Sequence, residues 1–168
     1  PRRVILRARR VFRGRRRTPA ARFDAPARPP DGAATEDTRT MATFGIDHLH
    51  LRSADPEAAA GYFARLFGAE ETGRSHPGGR LRIMLRLGGL ALYVEQVPDG
   101  TAGPPPWPHR GVEHLGLTVD DLDAALADVR AKGAEVLSGP DSPRAGVRIA
   151  FLAAPDGTRV ELVERRPG

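Results

Sequence analysis

The chain contains no cysteine. That excludes a disulfide framework, thiolate zinc sites, iron–sulfur clusters and a cysteine nucleophile. No apolar run approaches the ~20 residues that a membrane-spanning helix needs. Aromatic residues make up only 5% of the 168 positions. There is no Rossmann glycine fingerprint, no phosphate-binding P-loop and no G-x-S-x-G elbow, so nucleotide cofactors and serine hydrolysis find no support. Turn-forming residues, by contrast, are plentiful, with 19 Gly and 16 Pro. A chain this long buries roughly two-thirds of its surface in one domain and needs no covalent staple.

The net charge of +5 is unevenly spread. Residues 1–40 hold 12 arginines against four acids, whereas residues 41–168 carry 14 basic and 17 acidic side chains. The body is therefore mildly acidic, and nucleic acid is not expected as its partner. The first 40 residues mix short apolar islands with Arg, Pro and Ala. They offer too little apolar surface to offset ordering entropy and are expected to form a disordered tail. An Arg-rich arm for phosphates and an organelle transit peptide are two readings of it. A third is that the tail is not native and that Met41, just before the first strand-like pattern, is the true start.

An internal repeat organises residues 41–168, read as a single domain. Ile46-Asp47-His48-Leu49-His50-Leu51 recurs as Val112-Glu113-His114-Leu115-Gly116-Leu117, an offset of 66 positions. At that offset Asp55 meets Asp121, and Arg82-Ile83 meets Arg148-Ile149. Each copy reads as strand, helix and three strands. The first module spans 44–97, a Pro-rich connector 98–111, and the second module 112–164. Strands are expected over 45–52, 80–87 and 90–96, then over 112–119, 134–138, 146–153 and 158–164. Asp55 and Asp121 (or Asp120) are the helix caps, Gly68 and Gly133 the stops, and Gly88-Gly89 and Asp156-Gly157 the hairpin turns. The fold class is α+β: two tandem βαβββ modules forming an open, cupped, mixed β-sheet barrel with the helices outside.

His48 and His114 hold the same place in the two opening strands. Tyr93 and Glu161 hold matching places in the two closing strands. A carboxylate between Val160 and Leu162 is costly to bury unless it is paired or bound to a cation. Two imidazoles and one carboxylate suit a divalent first-row metal, for which Fe, Mn, Zn, Ni and Co all qualify. His50 shares the face of His48 and is a candidate acid/base, as is Tyr93. Arg82 and Arg148 are candidate anchors for an anionic substrate, Trp107 a candidate lid, and His109 a candidate pocket residue.

The segments IDHLHLRSADPEAAAGYFARLFGAEE, VEHLGLTVDDLDAALADVRAKGAEV and RIAFLAAPDGTRVELVE resemble the vicinal oxygen chelate superfamily, over about residues 44–164. This is the group of glyoxalase I, methylmalonyl-CoA epimerase, and fosfomycin-resistance, bleomycin-binding and extradiol dioxygenase proteins. The resemblance implies metal ligands from the first and last strands of each module: His48, His114 and Glu161, with Tyr93 in the remaining position. Tyr93 departs from the Glu, Gln or His of four-ligand relatives, because a neutral phenol is a poor ligand at pH 7. The leading expectation is a metal-dependent lyase, isomerase or epimerase for a small molecule with vicinal oxygens. In it Glu161, His50 or Tyr93 would move the proton. The alternatives are an Fe(II) extradiol-type dioxygenase and a non-catalytic, drug-binding protein. A homodimer and a cytoplasmic location complete the expectation, with no membrane partner.

Overall fold

The structure, a computed structural model, describes residues 44–166. The expected disordered tail and the Met41 start lie outside the described residues. The first module runs β1 (His48–Ser53), α1 (Pro56–Phe67), β2 (Glu70–Ser75), β3 (Arg82–Leu87) and β4 (Leu90–Gln96). The second runs β5 (Leu115–Val119), α2 (Leu122–Ala131), β6 (Val136–Arg144), β7 (Val147–Ala153) and β8 (Arg159–Arg165). The strand orders are β1-β4-β3-β2 and β5-β8-β7-β6, with the opening strand parallel to the closing strand and at the sheet's edge in both. The α+β class and the tandem βαβββ plan therefore stand as the repeat predicts.

Local chemistry sets the elements. The Asp55 carboxylate accepts the Ala58 N–H at 3.0 Å, and Asp121 accepts the Ala124 N–H at 2.9 Å. Each supplies one of the partners that a first helical turn lacks. Gly68 ends α1 in the left-handed region (φ 68°), where a Cβ would be strained. Alternation along β3 and β4 buries Ile83, Leu85, Leu92 and Val94 against Ala59 and Phe63 of α1. In the second module Ala150, Leu152, Val160 and Leu162 pack against Leu122 and Leu126. Alternate residues of these strands, among them Tyr93, Glu95 and Glu161, point to the faces away from the helices. Tyr62 Oη donates to the Ala153 carbonyl at 2.5 Å, and the Ala54 N–H to the Asp156 carboxylate at 3.1 Å, joining the modules.

Several boundaries differ from the sequence expectation. β5 begins at Leu115 rather than 112, and Val112 is 79% exposed. β6 extends to Arg144 through three register shifts, which the irregular Gly-Pro-Asp-Ser-Pro composition conceals. The offset of Arg82 to Arg148 is also corrected. Ile83 pairs with Val94 and Leu85 with Leu92, where Ala150 pairs with Leu162 and Leu152 with Val160. The counterparts in the third strands are thus 67 positions apart, not 66. Arg82 corresponds to Ile149, and a slip of one residue moves a side chain to the other face.

Candidate metal and substrate site

On the second module the open face carries His114 just before β5 and Glu161 within β8. Gly116 pairs in register with Glu161. His114 Nε2 and Glu161 Oε2 stand 3.2 Å apart, with side-chain exposures of 31% and 16%. A Cβ on Gly116 would lie 3.7 Å from Glu161 Oε2, so any longer side chain would crowd the carboxylate. His50 holds the equivalent place in the first module. His114 Nδ1 contacts the Glu113 carboxylate. Glu113 in turn accepts Trp107 Nε1–H at 2.9 Å and meets the Arg159 guanidinium. The Glu113 carboxyl titrates below the ordinary carboxylate range, first because of its contact with His114, then Trp107 and Arg159. Phe151 lies edge-on to His114 with ring centres 5.3 Å apart.

On the first module His48 stacks on Tyr93, ring centres 4.3 Å apart and planes 16° from parallel. Asp47 contacts His48 Nδ1 at 2.5 Å but is itself exposed. Beside them the buried Glu95 accepts Arg52 Nη1 at 2.7 Å and Arg82 Nε at 2.6 Å. Those contacts, Arg82 first, hold its carboxyl below the usual range. His50 Nε2 lies 3.4 Å from Glu95 in a geometry that makes no hydrogen bond, and burial pushes this imidazole below its ordinary pKa. The Glu95 charge opposes that shift, and Arg82, Arg52 and His48 reinforce it.

The predicted site residues thus fall into two groups. His114 and Glu161 meet, and His48, His50 and Tyr93 meet. Among the described residues of one chain, no three His, Asp or Glu side chains gather closely enough to hold an ion. Arg82 sits on the open face of its module. Arg148 lies on the helix side of its sheet, bound to Asp123 Oδ1 at 2.9 Å and Glu164 Oε2 at 3.2 Å. A cavity of about 240 Å³ between the modules is lined by His50, His109, Glu113, His114 and Arg159. Trp107, 63% exposed, stands at the rim beside Arg159, whose guanidinium carbon is 5.0 Å from its ring centre. Sequence reasoning did not single out Glu113, Arg159, Phe151, Arg52 or Glu95. Glu113 was legible as an acid before a ligand-type His, repeated as Asp47-His48. The others become neighbours only through strand pairing.

One chain brings together two donors of the kind a divalent metal takes, short of a full ligand set. His114 offers an imidazole nitrogen and Glu161 a carboxylate oxygen at hydrogen-bond separation, with a second carboxylate behind the imidazole. The family model described as Glyoxalase/Bleomycin resistance protein/Dioxygenase superfamily matches residues 45–162. A probable chloroplastic lactoylglutathione lyase of Arabidopsis thaliana is 41% identical over 58 residues, 34% of this chain and 17% of the relative. A 2-epi-5-epi-valiolone epimerase of Actinomyces sp. is 38% identical over 93 residues, 51% of each chain. The chain thus spans about half or less of the length of these curated relatives. Among solved structures, a variant of the fosfomycin resistance protein FosX of Listeria monocytogenes, in complex with Mn(II) and a dihydroxypropylphosphonic acid, superposes with a TM-score of 0.57 at 21% identity. That match covers 72% of this chain and 92% of the FosX chain.

Proposed function

Because the chain belongs to the glyoxalase/bleomycin resistance/dioxygenase superfamily, we propose that it is a metal-dependent lyase, isomerase or epimerase for a small molecule with adjacent oxygens. The observation that carries this reading is the 3.2 Å approach of His114 Nε2 to Glu161 Oε2 on an open sheet face. His48 of a second copy of the chain completes the ligand set. Two features support a homodimer. β1 and β5 are both outer strands, and Phe44, Ile46 and Val112 stand largely exposed just before them. A bound divalent ion supplies a Lewis acid that steadies negative charge as it develops on the adjacent oxygens.

The chain's own groups do the rest. Burial keeps His50 more readily neutral than a free imidazole, with an unpartnered Nε2 able to accept a proton. Arg82 and Arg52 hold Glu95 ionised and keep positive charge on the same face for an anionic substrate. Tyr93 covers His48 and leaves the fourth ligand position without a strong donor. The epimerase and lyase relatives favour proton transfer over oxygen insertion.

The test is metal analysis of the purified protein beside His114→Ala and Glu161→Ala, with size measurement in solution. Near-stoichiometric metal that both substitutions remove, in a dimer, is expected. Metal content unchanged by either substitution would leave a binding protein instead. Dioxygen uptake with a catechol under Fe(II) alone would mark the dioxygenase reading.

A further inference from the structure

Each module places an acid directly before its site histidine, Asp47-His48 and Glu113-His114, and in each the carboxylate contacts the imidazole Nδ1. The two pairs are built differently. Asp47 has a side-chain exposure of 88%, Glu113 of 33%. Glu113 is held by Trp107 Nε1 and by Arg159. The Arg159 guanidinium is itself held between two rings, its carbon 4.4 Å from the Phe151 centre and 5.0 Å from that of Trp107. Phe151 then returns to His114, edge-on. The chain of contacts closes on the histidine from which it started. By sheet register, the first-module counterparts of Arg159 and Phe151 are Ala91 and Met84, which cannot build the same ring.

A neutral imidazole has one N–H to give. His114 has a carboxylate at each nitrogen: Glu113 at Nδ1, and Glu161 at Nε2. If the N–H donates to Glu161 it sits on Nε2, and that nitrogen is blocked as a ligand. If it donates to Glu113 it sits on Nδ1, and Nε2 presents its lone pair beside the Glu161 oxygens. Resting on the metal-site reading above, we infer that Glu113, braced by Trp107 and Arg159, is a positioning residue that fixes His114 as the Nδ1–H tautomer, with Nε2 free for the cation. The Pro-rich connector thereby reaches the site: Trp107 braces the carboxylate that sets the ligand. Among the described residues Asp47 has no such brace and is largely exposed.

The test uses the metal-free 168-residue chain and ¹⁵N–¹H correlation of the imidazole rings, at a pH where they are neutral. His114 should carry its proton on Nδ1. Glu113→Ala should move it to Nε2, and Glu113→Gln, which keeps an accepting oxygen, should retain much of the Nδ1–H form. Trp107→Phe removes the indole N–H and part of the ring beside Arg159 while leaving Glu113 in place, and should give an intermediate shift, which covers the case in which Glu113→Ala folds poorly. Asp47→Ala should leave His114 unchanged. Co(II) titration should weaken in the same order, by about 10- to 100-fold for Glu113→Ala. An Nε2–H ring in the parent, or no tautomer change in Glu113→Ala and Trp107→Phe, overturns the inference. Failure of the parent to bind Co(II) overturns the metal reading instead, and the tautomer measurement still decides the role of Glu113.

Discussion

The open face of the first module gathers Arg52, Arg82, Glu95, His50, His48 and Tyr93, while that of the second carries His114, Glu161, Phe151 and Val163 with Arg159 at its edge. The backbones share one plan, so the difference lies in side chains at matching register. Glu95 is buried among two guanidinia and an imidazole on the open face. The buried acid of the second module, Glu164, lies on the opposite face, where it accepts the Leu122 N–H at 3.1 Å and pairs with Arg148 and Arg166. One duplicated scaffold has thus spent its buried carboxylate on a polar ligand-facing wall in one half and on a helix terminus in the other. The second half keeps a more apolar wall around its two ligand-type residues.

Removing Glu161 or His114 should break this division most severely. The Glu161→Ala and His114→Ala variants should each lose metal affinity by more than about 100-fold, beyond the range for supporting residues, as read by metal content after dialysis. The helices differ next. Phe63 of α1, 1% exposed, and Val129 of α2, 3% exposed, stand at equivalent places. Phe63→Ala should cost about 3–5 kcal/mol in denaturant unfolding, and Val129→Ala less, because fewer packed carbons are lost. The reverse order would show that the second core carries the fold.

The arginines sharpen the contrast further. Arg82→Ala should raise KM by roughly tenfold (about 1.4 kcal/mol) and also lower Tm, because it leaves the buried Glu95 to Arg52 alone, whereas Arg148→Ala should lower Tm and leave KM alone. Equal effects on KM would place both on the ligand-facing surface, against the register seen here. The smallest effect concerns pH. The Leu122 N–H and Arg166 hold the Glu164 carboxyl below its ordinary value of 4.5. A folded-state pKa below the unfolded one stabilises above the unfolded value and loses that contribution as pH falls through the folded one. The Tm gap between the parent and Glu164→Gln should therefore be full at pH 7 and close progressively below about pH 4.5. A gap independent of pH would mean that the carboxylate's charge has no part in holding α2.

Much of this is legible in the sequence. The repeated His strands, the Asp caps and the Gly-Gly and Asp-Gly turns are local signals, and each fixed an element's place. The Arg82–Arg148 match failed because an insertion of one residue between strands is invisible to identity matching, yet it reverses the face. β6 outruns the span its sequence suggests because bulges break the alternation that marks a strand. Glu95, Arg52, Arg159 and Phe151 carried no signal, since their meaning lies in partners 8 to 52 positions away.

Periodicity and turn chemistry act within a few residues, so the sequence alone determined the duplicated βαβββ plan and the candidate ligands His48, His114 and Glu161. Which of them meet, which face each arginine takes, and how Trp107, Glu113 and Arg159 close around one histidine depend on strand pairing and packing between distant segments. Only the tertiary structure decides those, because a single-residue change of register inverts a side chain without altering any local pattern.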